Sequence, residues 1–305
     1  MYKYYFTVFT PTYNRAYKIS VLYESLKKQT YSDFEWLIID DGSTDETENL
    51  INRYINEGFI KIRYIHKENE GKHVAINIGA QEAQGKWFFI VDSDDWILDN
   101  ALESIRFYCQ QIATNENFAG VVGLRGNSIG RVWNSGNINS SAQTKEFTVN
   151  ETKYIDATPV EYRYKLKING DRAEVIKTEL LKKYKFPSFA AEKFMPERYL
   201  WNLLSSDGYK FRWFNQIVYI TEYLEDGLTR NGKELAKRNC RSRAYVDNIS
   251  SGIKQIPIKS RFEFCVNYYR YGKISDDSFF KLYRESKAKV LSLLAIPVAF
   301  FIPVK

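Results

Sequence analysis

Three cysteines in 305 residues, Cys109, Cys240 and Cys265, are too sparse and too odd in number for a disulfide framework. No CxxC pair is present to hold zinc. They read as ordinary small apolar residues in a reducing, cytoplasmic compartment. GxGxxG is absent, and so is a P-loop: no glycine stands at the needed distance before Gly71-Lys72, and His73 replaces the Ser/Thr. An aromatic-basic RNA-binding signature and zinc-finger spacing are also missing, so no nucleic-acid partner is expected. There is no fixed-period repeat and no low-complexity tract. No segment has the length of a confident transmembrane helix. The opening "MYKYYFTVFTPTYN" has no small-residue cleavage site and runs directly into Pro11, so it reads as a first strand rather than a signal peptide.

What is present is enough for a real core. The hydrophobic fraction is 44%, which argues against wholesale disorder, and the length suits one α/β domain with a smaller addition. The net charge of +7 suits a phosphorylated ligand or an anionic membrane. The last residues, "KAKVLSLLAIPVAFFIPVK", are strongly apolar, lysine-flanked and interrupted by proline. They are too short to span a bilayer easily. The segment either lies in a membrane interface, where the lysines would meet anionic headgroups, or packs on protein.

The first part of the chain alternates between two periodicities. Strands are expected at Tyr4 to Thr10, Glu35 to Asp40, Ile60 to Ile65, Trp87 to Val91 and Phe118 to Gly123. Helical faces lie between them: Ile19, Leu22 and Leu26; a helix through Tyr54 opened by a Ser43/Glu46 capping box; Lys72 to Ala83; and Ala101 to Ile112. Such alternation implies a mostly parallel sheet with helices on both faces. Ligands of such sheets bind at the carboxyl ends of the strands. Three polar clusters fall there: "TPTYNR" after the first strand, "DDGS" after the second and "DSDD" after the fourth.

Each cluster has a chemical and a plain structural reading. Asp92 and Asp94, either side of Ser93, can reach one hard divalent cation that also takes phosphate oxygens, or can cap the next helix; the two roles are compatible. Asp40, closing a buried strand, suits a base or sugar hydroxyl, whereas Asp41 suits an Asx turn into Gly42. Tyr13 offers a stacking face and Arg15 a charge for a diphosphate, unless Asn14 caps the helix and Arg15 is solvated. Lys72 stands at a helix start, where phosphate is attracted. His73 fits either phosphate contact or capping, and His66 fits a structural role.

From Gly126 to Thr158, Asn, Ser, Gly and Thr point to loops and short antiparallel strands. Next come a turn at Asn169–Gly170, helices around Lys177 to Lys183 and Pro196 to Ser205, and the strands "KFRWF" and "IVYITEY". From Lys233 the chain reads as helical. Glu197 opens the helix whose apolar face holds Leu200, Trp201 and Leu204. It is placed either as a general base or as a helix-start glutamate without chemical duty.

"FTPTYNR", "DDGSTDET", "NxGxxxAxNxGxxxAxG" and "DSDD", in this order, resemble the family 2 glycosyltransferases of GT-A fold. The match is close over the first third. Gly170 to Asn231, with "EKFMPE" and "EYLEDGLT", is similar to the acceptor half of bacterial members that build surface polysaccharides. The resemblance implies a GT-A, Rossmann-like, mixed but mostly parallel α/β sheet over residues 1–230. Residues 1–125 would bind the donor and 126–230 the acceptor, with a helical extension at 231–305. It implies an inverting transferase that uses a nucleotide-sugar, most often a UDP-sugar, with Mn²⁺ or Mg²⁺. The acceptor would be a saccharide or a lipid-linked saccharide, met at the inner membrane surface. Pro11, Tyr13 and Asp40 would hold the nucleoside, and Asp92 the ribose side. Asp94, with Asp92, would bind the metal, and Arg15, Lys72 and Ser93 are further candidates for the donor pocket. The base of the family comes from a Glu-Asp pair; here Pro196-Glu197-Arg198 stands in its place, with Glu192 as the reserve. A late histidine that often ligates the metal has no counterpart after His73. Two other readings stay open. One is a sugar-phosphate nucleotidyltransferase, whose glycine- and lysine-rich loop "TPTYNR" lacks. The other is an inactive nucleotide-sugar-binding subunit of an assembly complex.

Overall fold

The structure is a computed structural model that describes residues 1–128, 154–221 and 232–301. Most of the expected loop region from Gly126 to Thr158, the "EYLEDGLT" segment and the last four residues lie outside the described residues. The chain divides into two compact units. One comprises Met1–Thr158, Lys167–Lys185 and Gly208–Glu222; the other comprises Pro159–Leu166, Phe186–Asp207 and Tyr223–Lys305.

The first unit begins with β1 (Tyr4–Thr12), α1 (Ile19–Lys27), β2 (Phe34–Asp40), α2 (Thr47–Glu57), β3 (Ile62–His66), α3 (Lys72–Glu82) and β4 (Gly85–Ile90). It continues with β5 (Trp96–Ile97), α4 (Ala101–Ile112), β6 (Phe118–Gly126), β7 (Tyr154–Ala157), β8 (Arg172–Lys177), α5 (Thr178–Lys183) and, after a helix of the other unit, β9 (Lys210–Ile220). The strands form one mixed sheet in the order β3-β2-β1-β4-β8-β6-β9-β5, with β7 on β9. Pairing is parallel from β3 through β4. It turns antiparallel where β8 lies between β4 and β6, and is parallel again between β6 and β9. The parallel character is therefore confined to part of the sheet. Since β8 opposes both β4 and β6, the carboxyl ends of β1, β2, β4, β6 and β9 share one edge. From β1 the chain first winds to β2 and β3, then returns to β4 on the other side of β1. This reversal is where an open α/β sheet leaves a crevice.

Sequence pattern explains the layers. Ile19, Leu22 and Leu26 of α1, Ile51 of α2 and Ile105 and Ile112 of α4 are buried in one core with Phe6, Val8, Trp36, Ile38 and Phe89. Alternation along β1 puts Phe9 on the opposite face, where it meets α3. The ring of Phe9 fills the space where Gly79 of α3 has no side chain; a Cβ there would lie 2.2 Å from Phe9 Cε2. All seven residues of β2 are buried, including Glu35. Its carboxylate accepts from Thr7 Oγ1 (2.7 Å) and Gln84 N (2.7 Å) and pairs with Arg63 (3.3 Å), so the buried charge is compensated.

Two local expectations do not hold. The Ser43/Glu46 capping box is not formed: Glu46 stands at the N-cap of α2 with no side-chain cap bond. Ser43 Oγ instead accepts from Asn14 N (2.8 Å), while Asn14 Oδ1 accepts from Thr44 N (2.8 Å). The β1–α1 and β2–α2 turns are thus laced together, a contact between segments about 30 residues apart. "KFRWF" and "IVYITEY" form one continuous strand, β9, as far as Ile220.

The second unit is helical where described. It holds a π-helical turn at Glu161–Lys165, α6 (Arg198–Ser206), α7 (Gly232–Arg238), α8 (Cys240–Gly252), α9 (Ile258–Ile274), α10 (Phe279–Glu285) and α11 (Lys289–Phe301). Cys265, Val266, Tyr269, Leu282, Ala295 and Ala299 form a core among α9, α10 and α11. Residues 186–207 belong to this unit, where Asn202 Nδ2 donates to Ser250 Oγ (2.8 Å) and Arg198 pairs with Asp247.

Candidate active site

The shared edge of the sheet gathers the expected donor-site residues of the first unit. At the end of β1, Pro11 is half-buried and Tyr13 is exposed beyond it, followed by Asn14 at φ 50° and Arg15. At the end of β2, Asp40 is fully buried. Its Oδ1 accepts from Ser43 N (2.8 Å), its Oδ2 accepts from Tyr64 Oη (2.5 Å), and His66 Nδ1 lies 3.5 Å from Oδ2. Burial and this carboxylate both push the Tyr64 hydroxyl up, so it stays a donor.

Asp41 makes more than an Asx turn. Its Oδ1 accepts from Lys67 Nζ (2.7 Å) and Glu70 N (2.9 Å), and its Oδ2 accepts from Gly71 N (2.7 Å). These bonds hold the loop before α3, where Gly71 takes φ 101°, a conformation that favours glycine. Lys72 is thereby set at the first position of α3, and its Nζ lies 2.7 Å from Asp92 Oδ1. His73 is buried within the same helix.

The "DSDD" turn follows β4. Asp92 has cations on both oxygens: Lys72 on Oδ1 and Arg125 Nη1 at 3.8 Å from Oδ2. Burial opposes its charge, but Lys72 and Arg125 outweigh this and hold the carboxyl below its ordinary value. Burial and the neighbouring Asp92 charge both raise Asp94. The same two causes push Asp95 up to about 7, with Arg125 pulling the other way. Tyr219 Oη accepts from Asp92 N (2.9 Å) and donates to Asp95 Oδ2 (2.7 Å), which fixes the turn from β9. Arg125 stacks on the Tyr219 ring, 4.1 Å from its centroid, and its Nε donates to the Arg172 carbonyl (2.6 Å). Ser93 is buried between the two aspartates.

The positive charge that the acidic turn calls for is therefore supplied in part by the chain. Lys72 was legible in the sequence; Arg125 and Tyr219 were not singled out. Both stand near the carboxyl ends of strands, β6 and β9, so the rule that located the other clusters also reaches them. Among the described residues no group of three or more His, Cys, Asp or Glu side chains is placed to hold a metal. Asp94 is half-buried, and burial and the neighbouring Asp92 disfavour its charged form.

Glu192 and Glu197 belong to the second unit. Glu192 is buried, with Oε1 accepting from Arg241 N (2.8 Å) and Oε2 from Ser242 N (2.7 Å), so it caps the start of α8. Asn239 Oδ1 accepts from Lys193 N (2.9 Å) and Phe194 N (3.0 Å). Arg198 is paired with Asp247. Half-buried Glu197 stands at the N-cap of α6 between these fixed points.

The model of glycosyl transferase family 2 matches residues 7–174. An uncharacterised glycosyltransferase of Rickettsia felis is 42% identical over 97 residues, 32% of this chain and 16% of that protein. Glycosyltransferase GlyG of Streptococcus pneumoniae is 34% identical over 100 residues, 32% of this chain and 33% of that protein. The poly(ribitol-phosphate) β-N-acetylglucosaminyltransferase TarS of Staphylococcus aureus is 29% identical over 126 residues, 41% of this chain and 22% of that protein. These alignments thus span at most a third of the relatives' own length. Among solved structures, TarS 1-349 in complex with UDP-GlcNAc superposes with a TM-score of 0.53 at 18% identity, covering 94% of this chain and 89% of that one. The mannosyltransferase PcManGT of Pyrobaculum calidifontis, in complex with GDP-Man and Mn²⁺, gives 0.57 at 15% identity, covering 98% and 81%. At such identities the likeness is one of fold, the GT-A arrangement of a mixed α/β sheet with helices.

Proposed function

The chain belongs to glycosyl transferase family 2, and we propose that it moves a sugar, with inversion, from a UDP-sugar to a saccharide or lipid-linked saccharide acceptor. The observation that carries this reading is the convergence of Tyr13, Arg15, Asp40, Lys72, Asp92, Asp94 and Arg125 on one edge of the sheet. TarS, a relative by sequence and fold, has been solved with UDP and with UDP-GlcNAc, which favours a uridine donor here.

Each residue has a task that follows from its setting. Pro11 and Tyr13 frame the nucleoside, with the exposed Tyr13 ring available for stacking. Asp40 orders the turn beneath it through Ser43 and Tyr64. Asp92, kept ionised by Lys72 and Arg125, accepts from the ribose hydroxyls. Asp94, with Asp92 beside it, would hold a Mn²⁺ or Mg²⁺ ion, which supplies countercharge to the departing diphosphate. Arg15 and Lys72 add fixed positive charge near the same phosphates. Glu197 takes the proton of the acceptor hydroxyl as its oxygen attacks the anomeric carbon and the bond to the diphosphate breaks. Glu192 is less suited to that role, because both of its oxygens accept backbone bonds at α8. A lipid-linked acceptor would place the protein at the inner face of a membrane.

A thermal-shift panel of UDP- and GDP-sugars with and without Mn²⁺ tests the reading, since a ligand of the native state raises its melting point. UDP-sugars should stabilise the protein in a Mn²⁺-dependent way, and D94A should lose that dependence. A panel without any UDP-sugar response, or an unchanged response in D94A, would overturn the donor or the metal assignment respectively.

A further inference from the structure

Helix α11 carries an apolar face that the second unit does not cover. Its small residues Ser292, Ala295 and Ala299 are buried toward α9 and α10. On the other side Val290 (75% exposed), Leu293 (59%), Leu294 (63%) and Phe301 (80%) follow helical spacing, with exposed Pro297 between them. Phe280 of α10 is 77% exposed as well. Single exposed apolar residues are ordinary, but a continuous stripe marks an interaction surface.

Charge around the stripe narrows the partner. Arg284 in the last turn of α10, and Lys287 and Lys289 at the start of α11, are exposed, and Lys273 lies 4.8 Å from the centroid of the Phe300 ring. After Glu285 the chain has no acidic residue. Asp277, just before α10, is paired with Lys281 (2.5 Å), and Glu285 at the end of α10 lies 3.9 Å from Arg284. The second unit holds 20 lysines and arginines against 12 aspartates and glutamates, while the first holds 24 against 25. The whole positive excess of the protein thus lies in the unit that exposes the stripe. Among the described residues no helix is long and apolar enough to cross a membrane. The 13 residues of α11 extend about 20 Å, short of a hydrocarbon core of about 30 Å. A second copy of the chain, docked face to face about a two-fold axis, would set these basic rims against each other.

We propose that α11, with Phe280 of α10, seats the protein on an anionic lipid surface, its apolar stripe in the headgroup layer and its lysines and Arg284 against the lipid charges. This deepens the proposed function, because a lipid-linked acceptor would be met on that surface, but it stands on α10 and α11 alone. The full chain should sediment with vesicles of phosphatidylglycerol and phosphatidylcholine, and not with phosphatidylcholine alone. L293E/L294E replaces exposed side chains, so its melting temperature should match the parent while vesicle affinity drops roughly tenfold or more. R284Q/K287Q should weaken binding roughly tenfold and flatten its dependence on salt. Equal sedimentation of parent and L293E/L294E overturns the proposal. So does a concentration-dependent dimer, abolished by L293E/L294E in sedimentation velocity, with no vesicle binding. The two readings fail separately: vesicle binding without any nucleotide-sugar response in the thermal-shift panel retains this surface and removes the transferase donor site.

Discussion

Asp92, Asp94 and Asp95 occupy one turn, yet their surroundings drive them apart. Lys72 and Arg125 keep Asp92 ionised, whereas burial and Asp92 itself raise the other two. The two glutamates of the second unit differ in their partners: Glu192 accepts from Arg241 N and Ser242 N, whereas Glu197 stands at the N-cap of α6. E192Q should weaken the cap of α8 and lower stability by about 1 kcal/mol while turnover persists. E197Q should leave the melting point and the donor-induced shift intact and cut turnover roughly 10²–10⁴-fold. Steady-state kinetics beside thermal melts would distinguish them, and the reverse pattern would move the base to Glu192. Asp45 supplies a pH dependence. Burial opposes its charge, but hydrogen bonds from Thr47 Oγ1, Thr47 N and Ala16 N prevail and hold the carboxyl below its ordinary value. A carboxyl lowered in the folded state contributes stability above its unfolded value, near pH 4, and that contribution is lost as pH falls through the folded value. Urea melts from about pH 5 down to about pH 2 should therefore show wild type and D45N converging on acidification. A constant gap between them would remove Asp45 from the acid limb.

At the scale of elements, α3 shows why a motif glycine is there. Alanine is the better helix former by about 1 kcal/mol. A Cβ at Gly79 would nevertheless press on the Phe9 ring, so the clash decides the sign. G79A should lower stability by about 1–3 kcal/mol; a melting temperature at or above that of the parent would mean that the ring yields freely. The strands and helices of the first third were legible because each carries one periodicity over a full span: α4 occupies Ala101–Ile112 as its pattern implies. The caps were less so. Ser43 and Glu46 have the spacing of a capping box, but Asn14 reaches Ser43 from another turn, and a tertiary hydrogen bond displaced the local one. Glu192 could not be read as the cap of α8 for the same reason, since its partners lie about 50 residues away.

At the scale of the whole molecule, the chain is assembled from two units that are each discontinuous in sequence, and buried charges fasten the pieces of the second. Asp247 is fully buried with Arg198 and Arg243 against it. D247A strands these guanidinium groups and should cost about 3–5 kcal/mol, read as a fall in the urea midpoint; a loss below about 1 kcal/mol would show that solvent already screens them. The sequence by itself determined the periodicities, and with them the order of strands and helices and the strand ends on which acidic turns fall. It also determined the basic, apolar character of the last helix. Only the tertiary structure decided what meets those turns. Arg125 and Tyr219 come to Asp92 and Asp95 because β8 runs against β4 and β6 and so returns β6 and β9 to the same edge. Pairing between strands depends on contacts spread across the chain, and no local spacing encodes them.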